Sequence, residues 1–274
     1  MGEKKQDRKG NNSHSAGSIY IIGIGPGSLE HLTLKAKEAL ESCDAVVGYK
    51  TYIDLIKNLI SGKEIFSTGM TKEVDRCQKA IELALQGKKV AVVSSGDAGI
   101  YGMAGLVFEL LIVHKSQVTS HKSQVKEQNK NDHLAIQVIP GVPAFCAAAS
   151  LLGAPLMHDF ASISLSDLLT PWEIIKKRLK MASEGDFVII LYNPKSKTRV
   201  SQIEGAIEII SMHRDGNTPV GIVKNALRDG EEIKITTLRE LSGCYDFIDM
   251  STILIIGNSA TFISNNRMIT PRGY

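Results

Sequence analysis

Residues Ser18 to Gly27 read SIYIIGIGPG, an apolar strand that runs into a glycine-rich turn and then a helical pattern. Spelled G-x-G-x-x-G, such a turn cradles a pyrophosphate: N–H groups at the helix start face the anion, and the last glycine lets helix and strand pack closely. Here Ser28 stands at the third glycine position, and Pro26 removes one N–H donor from the loop. Asp44, the nearest acid to the ribose-binding position about twenty residues on, stands at the start of the next strand rather than its C-terminal end. No G-x-x-x-x-G-K-S/T loop occurs. The loop alone leaves two readings open: a tight turn that needs glycine freedom at Gly25 and Gly27, or a site for a ligand without phosphate.

Three more turns follow apolar strands, where ligands collect in open α/β sheets. They are Ser95-Gly96-Asp97-Ala98-Gly99-Ile100-Tyr101, Pro140-Gly141-Val142-Pro143-Ala144 and Tyr192-Asn193-Pro194. Asp97 can accept from hydroxyls, face a cation or cap the following helix. Cys43, Cys77, Cys146 and Cys244 have no C-x-x-C spacing, so a zinc knuckle or a compact disulfide framework is not indicated. No Ser-His-Asp or Cys-His arrangement is evident.

The elements that must position these turns alternate. Strands are expected at Ile19 to Ile22, Ala45 to Val47 and Val90 to Val93, with helices from about Thr33, over Tyr52 to Leu59, Lys72 to Leu85 and Tyr101 to Val113. A second α/β unit is expected to open with strand Ala135 to Ile139, followed by a small-residue helix from Ala144 to Leu152 and a strand from Ala161 to Ser164. Thr170-Pro171-Trp172-Glu173 reads as a capping box with proline at the first helical position. Strand Phe187 to Leu191, a helix near Val200 to Met212, and strands Val220 to Val223, Glu232 to Thr236 and Thr252 to Ile256 complete the pattern. It is that of an α/β protein, the first domain built on a largely parallel sheet.

The 274 residues suit two domains of roughly 120 to 140 residues each. Residues 1–17 are read as a disordered tail, 18–133 as an N-terminal and 134–274 as a C-terminal α/β domain. A composition of 43% hydrophobic and 22% charged residues argues against disorder, and the scattered net charge of +3 gives no case for nucleic acid. Neither a signal peptide nor an apolar run of membrane-spanning length is present, so a cytoplasmic protein is expected. In the polar stretch 114–133, His-Lys-Ser-Gln-Val occurs twice, from His114 and from His121, and reads as a solvated insertion without a metal site.

Gly23-x-Gly25-Pro26-Gly27, Gly96-Asp97-x-x-x-Tyr101, Pro140-Gly141-Val142 and Thr236-Thr237-Leu238, in that order, resemble the tetrapyrrole methyltransferases that act on uroporphyrinogen and precorrins. Leu151 to Leu179, "LYNPKSKTR" (Leu191 to Arg199) and "MITPRGY" (Met268 to Tyr274) look more narrowly like the precorrin-3B C-17 methyltransferases of cobalamin biosynthesis. The resemblance covers about Ser18 to Tyr274 apart from the insertion. It implies two α/β domains with a cofactor cleft between them, S-adenosyl-L-methionine (SAM) as methyl donor, and a homodimer. By position it implies cofactor contacts at Pro26, Ser95, Gly96, Asp97, Ile100, Tyr101, Pro143, Ala144, Tyr192, Asn193, Ala226 and Thr236. Pro143 departs from the usual Ser or Thr and offers only its carbonyl or its ring.

The implied reaction methylates C-17 of a precorrin-3 type ring, precorrin-3B or the cobalt-bearing cobalt-factor III, with contraction of the macrocycle. Positioning two bound reactants is then the main task. Contraction needs proton transfers, for which His158 and Asp159 are expectations alongside a purely structural role. Gly25, Gly27, Ser164 and Ser166 are expected to shape the substrate site. Lys195, Lys197, Arg199 and Arg272 are expected to meet the substrate's carboxylates. A neighbouring precorrin methyltransferase of different regiospecificity and a nucleotide-dependent oxidoreductase are the alternatives.

Overall fold

A computed structural model describes residues 17–121 and 134–273. The expected disordered tail, apart from Gly17, and the insertion beyond His121 lie outside the described residues. The chain divides into two compact units. The first takes the chain up to Ile24 together with Leu32–Gly141, and the second takes Gly25–His31 together with Val142–Tyr274.

In the first unit the chain runs β1 (Ser18–Gly23), α1 (Leu34–Ser42), β2 (Ala45–Tyr49), α2 (Lys50–Leu55), β3 (Glu64–Thr68), α3 (Glu73–Leu85), β4 (Lys89–Ser94), α4 (Ala104–His121) and β5 (Ala135–Ile139). The five strands form one parallel sheet in the order β3-β2-β4-β1-β5. A parallel sheet must be covered on both faces, and alternate side chains do this. Ile19, Ile21, Val90 and Val92 pack against Cys77, Ala80, Ile81 and Ala84 of α3 and Val107 and Leu111 of α4. Ile22, Val46, Ala91 and Val93 face the other way, onto Ala36, Ala39 and Leu40 of α1 and Ile53 of α2. Thr33 caps α1 through its hydroxyl, which accepts from the Ala36 N–H at 3.1 Å.

The second unit contains α5 (Ala144–Leu152), β6 (Gly153–Ala154), β7 (Phe160–Ser164), α6 (Trp172–Glu184), β8 (Val188–Tyr192), α7 (Ser201–Ser211), β9 (Pro219–Lys224), β10 (Glu232–Thr237), β11 (Thr252–Ile256), β12 (Phe262–Ser264) and β13 (Arg267–Ile269). Its main sheet has the order β10-β9-β11-β8-β7. β7 and β8 run parallel, and β11 is antiparallel to both β8 and β9, so β7, β8 and β9 point the same way. Ile189, Leu191, Val220, Ile222 and Leu254 pack under α6 and α7. Val188, Ile190, Val223, Ile253 and Ile255 pack on α5.

Three sequence expectations are corrected. Ala135–Ile139 does not open the second unit: it lies beside β1, Ser18 opposite Ala135 through Ile22 opposite Ile139. Parallel neighbours need a crossover connection, and α4 lies in the chain between β4 and β5. Pro171, at φ −53° and ψ 137°, is the N-cap of α6 and not its first helical residue, and no side chain caps this end. β3 and the small sheet β12-β13-β6 were not anticipated, because their strands of two to five residues carry little period-2 signal.

The C-terminal ends of β1, β4 and β5 meet with no side chain between them. A Cβ on Gly23 would stand 2.7 Å from both the Gly141 nitrogen and the Gly96 oxygen, and a Cβ on Gly141 would collide with the Gly96 and Gly23 backbones. Gly141→Ala should therefore lower the thermal midpoint by an amount matching about 2 kcal/mol or more, the cost of forced overpacking. Gly105→Ala, in α4 with open space around it, should be neutral or stabilising by up to about 1 kcal/mol. Equal melting of the two variants would refute this packing argument.

Candidate functional site

In the first unit the structure gathers Ser95, Gly96, Asp97, Ile100 and Tyr101 into one turn after β4. Gly96 (φ 67°) and Tyr101 (φ 52°) both adopt left-handed backbone, and Tyr101 is 54% exposed. A left-handed tyrosine is costly and persists only where its surroundings hold it. Both carboxylate oxygens of Asp97 are engaged: Oδ1 accepts from the Gly99 N–H at 2.8 Å and Oδ2 from the Gly141 N–H at 3.0 Å. Asp97 thus staples the β4 turn to the β5 turn and does not cap α4, which starts at Ala104. Ser94, 2% exposed, fastens the same turn from below by accepting from the Met103 N–H at 3.2 Å. Asp44, the acid a dinucleotide reading would want, accepts from Lys89 N–H at the start of β4, the opposite end of the sheet.

In the second unit the aligned ends of β7, β8 and β9 carry a second set. Tyr192 reaches α5: its hydroxyl accepts from the Phe145 N–H at 3.2 Å, which satisfies a donor of the helix's first turn. Pro143 is the N-cap of α5, and its carbonyl accepts from Cys146 and Ala147. The carbonyl left to this proline is therefore used by its own helix, and Pro143 and Ala144 present small apolar surface. Asn193, left-handed at φ 50°, donates to the Ser164 hydroxyl at 2.9 Å, and that oxygen also accepts from the Ser166 N–H at 3.2 Å.

Arg199 is engaged within the second unit. It donates to the carbonyls of Leu165 at 2.7 Å and Asn193 at 2.6 Å, its side chain is only 11% exposed, and Asp167 lies 4.0 Å from its Nε. Burial lowers its guanidinium pKa, partly opposed by Asp167. It holds the β7 and β8 turns together. Lys195 is spent similarly, donating to the Tyr245 carbonyl at 2.8 Å. Lys197 and Arg272 are exposed.

Two further groups are not brought to this edge. His158 and Asp159 precede β7, and the Asp159 carbonyl accepts from Val188 N–H at the start of β8. Ser164 and Tyr192 stand at the other end of the same pair, with Ser164 five residues or about 17 Å from Asp159 along the strand. Thr236 pairs with Val220 near the start of β9, and its hydroxyl donates to Glu240 at 3.4 Å, whereas Ala226 follows the end of β9.

The sequence reading missed the rest of the β9 turn. Asn225 (φ 50°) and Leu227 (φ 56°) flank the buried Ala226, Asn225 donates to the Gly230 carbonyl at 3.1 Å, and Leu227 N–H donates to Glu231 at 2.8 Å. Arg228 Nε donates to the Pro26 carbonyl, so Gly25, Pro26 and Gly27 join this turn within the second unit. The signal was there in outline: Lys224 to Gly230 is another strand-end turn. Beside it Lys224 pairs with Asp249 at 2.9 Å. Burial alone would raise the Asp249 carboxyl, but hydrogen bonds from Ser251 and Lys224 hold it below its usual range.

Asp97→Ala should cost about 1–3 kcal/mol in unfolding free energy by orphaning two N–H groups, with Asp97→Asn recovering part; unchanged stability would show both bonds to be idle. Because the Asp249 carboxyl titrates lower folded than unfolded, its ionisation stabilises the fold above about pH 4 and ceases to do so as pH falls through the folded value. The stability gap between wild type and Asp249→Asn should hold at neutral pH and close only in acid, as urea titrations across pH would reveal.

Residues 18–242 match the model of a family described as tetrapyrrole (corrin/porphyrin) methylases. Over 258 residues the chain is 50% identical to a cobalt-factor III methyltransferase of Priestia megaterium, covering 94% of this chain and 45% of that longer protein. Over 256 residues it is 49% identical to a probable cobalt-factor III C(17)-methyltransferase of Salmonella typhimurium, covering 93% of this chain and 99% of that one. Among solved structures, the methyltransferase CobJ superimposes with a TM-score of 0.83 at 34% identity, covering 93% of this chain and all of that one.

Proposed function

The chain belongs to the tetrapyrrole (corrin/porphyrin) methylases, and on that premise we propose that it transfers a methyl group from SAM to C-17 of cobalt-factor III in cobalamin biosynthesis, with contraction of the macrocycle. The observation that carries the reading is the match to the Salmonella relative, 49% identical and covering nearly the whole of both chains.

The two sets of strand-end turns fit SAM by the chemistry of their groups. They offer backbone, hydroxyls and small apolar side chains, and Lys195 and Arg199 are already engaged within the protein. Such a set suits a ligand without phosphate, one that joins an adenosyl group to an amino acid. It suits a dinucleotide poorly, since Asp44 is held at the wrong end of its sheet. We assign the cofactor to Ser95, Gly96, Ile100 and Tyr101 in the first unit and to Pro26, Pro143, Ala144, Tyr192, Asn193 and Ala226 in the second.

When bound, SAM supplies the methyl on a sulfonium, so that transfer breaks a C–S bond, forms a C–C bond and leaves a neutral thioether. The protein's part is orientation. Rigid turns, pinned by Asp97 and Arg199, hold the contacting backbone in place before the reactants arrive. Substrate carboxylates are assigned to the exposed cations Lys197 and Arg272, with Ser164, Ser166, Gly25 and Gly27 shaping the surface. A homodimer and cytoplasmic residence belong to the same proposal, and the four free cysteines suit a reducing compartment. Among the described residues no helix is long and apolar enough to cross a membrane.

Incubating the full chain with SAM and cobalt-factor III should give a product one methyl heavier, with NMR placing the new carbon at C-17. A methyl elsewhere would favour the neighbouring regiospecificity, and absence of transfer with SAM would overturn the reading. His158→Ala, altered at the far end of β7, should retain turnover within about twofold of wild type.

A further inference from the structure

The geometry points to Arg228 as a positioning residue that fixes the Gly25–Gly27 loop to the β9 turn; this deepens the functional reading above and rests on it. Four observations within the second unit carry the inference. Arg228 Nε donates to the Pro26 carbonyl across 202 positions of sequence. Its stem fills the space beside Gly27: a Cβ there would lie 2.8 Å from Cγ, 3.0 Å from Cδ and 2.7 Å from Nε of Arg228. Gly27 also adopts φ 142°, a conformation that L side chains rarely reach. Finally, the turn that bears Arg228 is braced independently of the contact. Arg228 N–H donates to the Asn225 carbonyl at 2.9 Å, Glu231 N–H donates to the Arg228 carbonyl at 3.1 Å, and Glu231 accepts from Leu227 N–H at 2.8 Å.

A glycine-proline-glycine loop has little of its own to hold it. Pro26 has no N–H, Gly25 and Gly27 have no side chains, and both glycines are free to move in φ. Arg228 supplies what they lack: a donor for the carbonyl and an aliphatic stem against the bare Cα of Gly27. The loop, whose Gly25 and Gly27 are assigned to the tetrapyrrole and whose Pro26 is assigned to the methyl donor, is thereby tied to the turn that bears Ala226, also assigned to the methyl donor. Arg228 acts through that loop and sets its position for the substrate.

The test is steady-state methyl transfer by the full chain, alongside SAM affinity by calorimetry and thermal melting. Arg228→Ala should raise the KM for the tetrapyrrole and lower kcat/KM by about tenfold or more, as expected for a misplaced substrate surface. SAM affinity should fall by a smaller factor than kcat/KM, because Pro26 is the one SAM-assigned residue on the loop and the braced β9 turn remains. Arg228→Lys, which keeps the stem and a cationic donor, should recover part of the loss and serves as the working variant if the alanine form does not fold. Gly27→Ala should reproduce the loss alone and add little to Arg228→Ala, since both break one contact. Wild-type kinetics in Arg228→Ala, or SAM affinity and melting falling in step with turnover, would overturn the assignment. A wild type that binds SAM but methylates no tetrapyrrole would overturn the functional reading and this proposal with it.

Discussion

Everything at the end of the first sheet depends on three strands finishing in bare backbone. Gly23, Gly96 and Gly141 approach so closely that a single methyl group on Gly23 or Gly141 has nowhere to go. Close packing of peptide groups leaves polar atoms that need partners, and the structure supplies them locally: Ile24 N–H donates to the Ser94 carbonyl at 2.9 Å, and the two Asp97 oxygens take Gly99 and Gly141. Gly23 and Gly141 are therefore filled from within by backbone. Side chains return at their neighbours Ser95, Ile100 and the left-handed Tyr101.

The second unit solves the corresponding problem with side chains. Its turns carry left-handed Asn193, Asn225 and Leu227, conformations that cost energy unless over-determined. Hydrogen bonds from Arg199, Asn193 and Asn225, and the Tyr192 hydroxyl at the start of α5, provide that determination. Charge-assisted bonds from a mostly buried guanidinium are among the stronger ones available. The consequence for chemistry is that a cation used to organise carbonyls is no longer offered to an anionic substrate. Lys197 and Arg272, by contrast, stay exposed.

The strand-end turns were legible from composition and order, because apolar runs bounded by Gly, Pro, Asn and Asp have few alternative foldings. Helix α1 began at its capping threonine for the same local reason. What local pattern did not carry was pairing. β5 follows a long polar stretch and reads as the first strand of a new unit, yet hydrogen bonds to β1. Thr236 and Ala226 are ten residues apart in sequence, but the antiparallel return of β10 carries Thr236 back toward the start of β9. His158 stands beside Asp159 just before β7, and parallel pairing of β7 with β8 puts it at the opposite end of that pair from Ser164 and Tyr192.

The sequence by itself determined the alternation of elements, the two-unit α/β class and the turns where a ligand could be met, since these follow from periodicity and from the backbone limits of glycine and proline. Only the tertiary structure decided which polar groups remain for a ligand. Asp97, Arg199, Lys195 and the Pro143 carbonyl all looked available, and each is engaged by a backbone partner. Arg228, by contrast, drew no notice until its guanidinium was found on Pro26. A side chain's role is set by which donors and acceptors surround it, and those come from residues as far as 202 positions away.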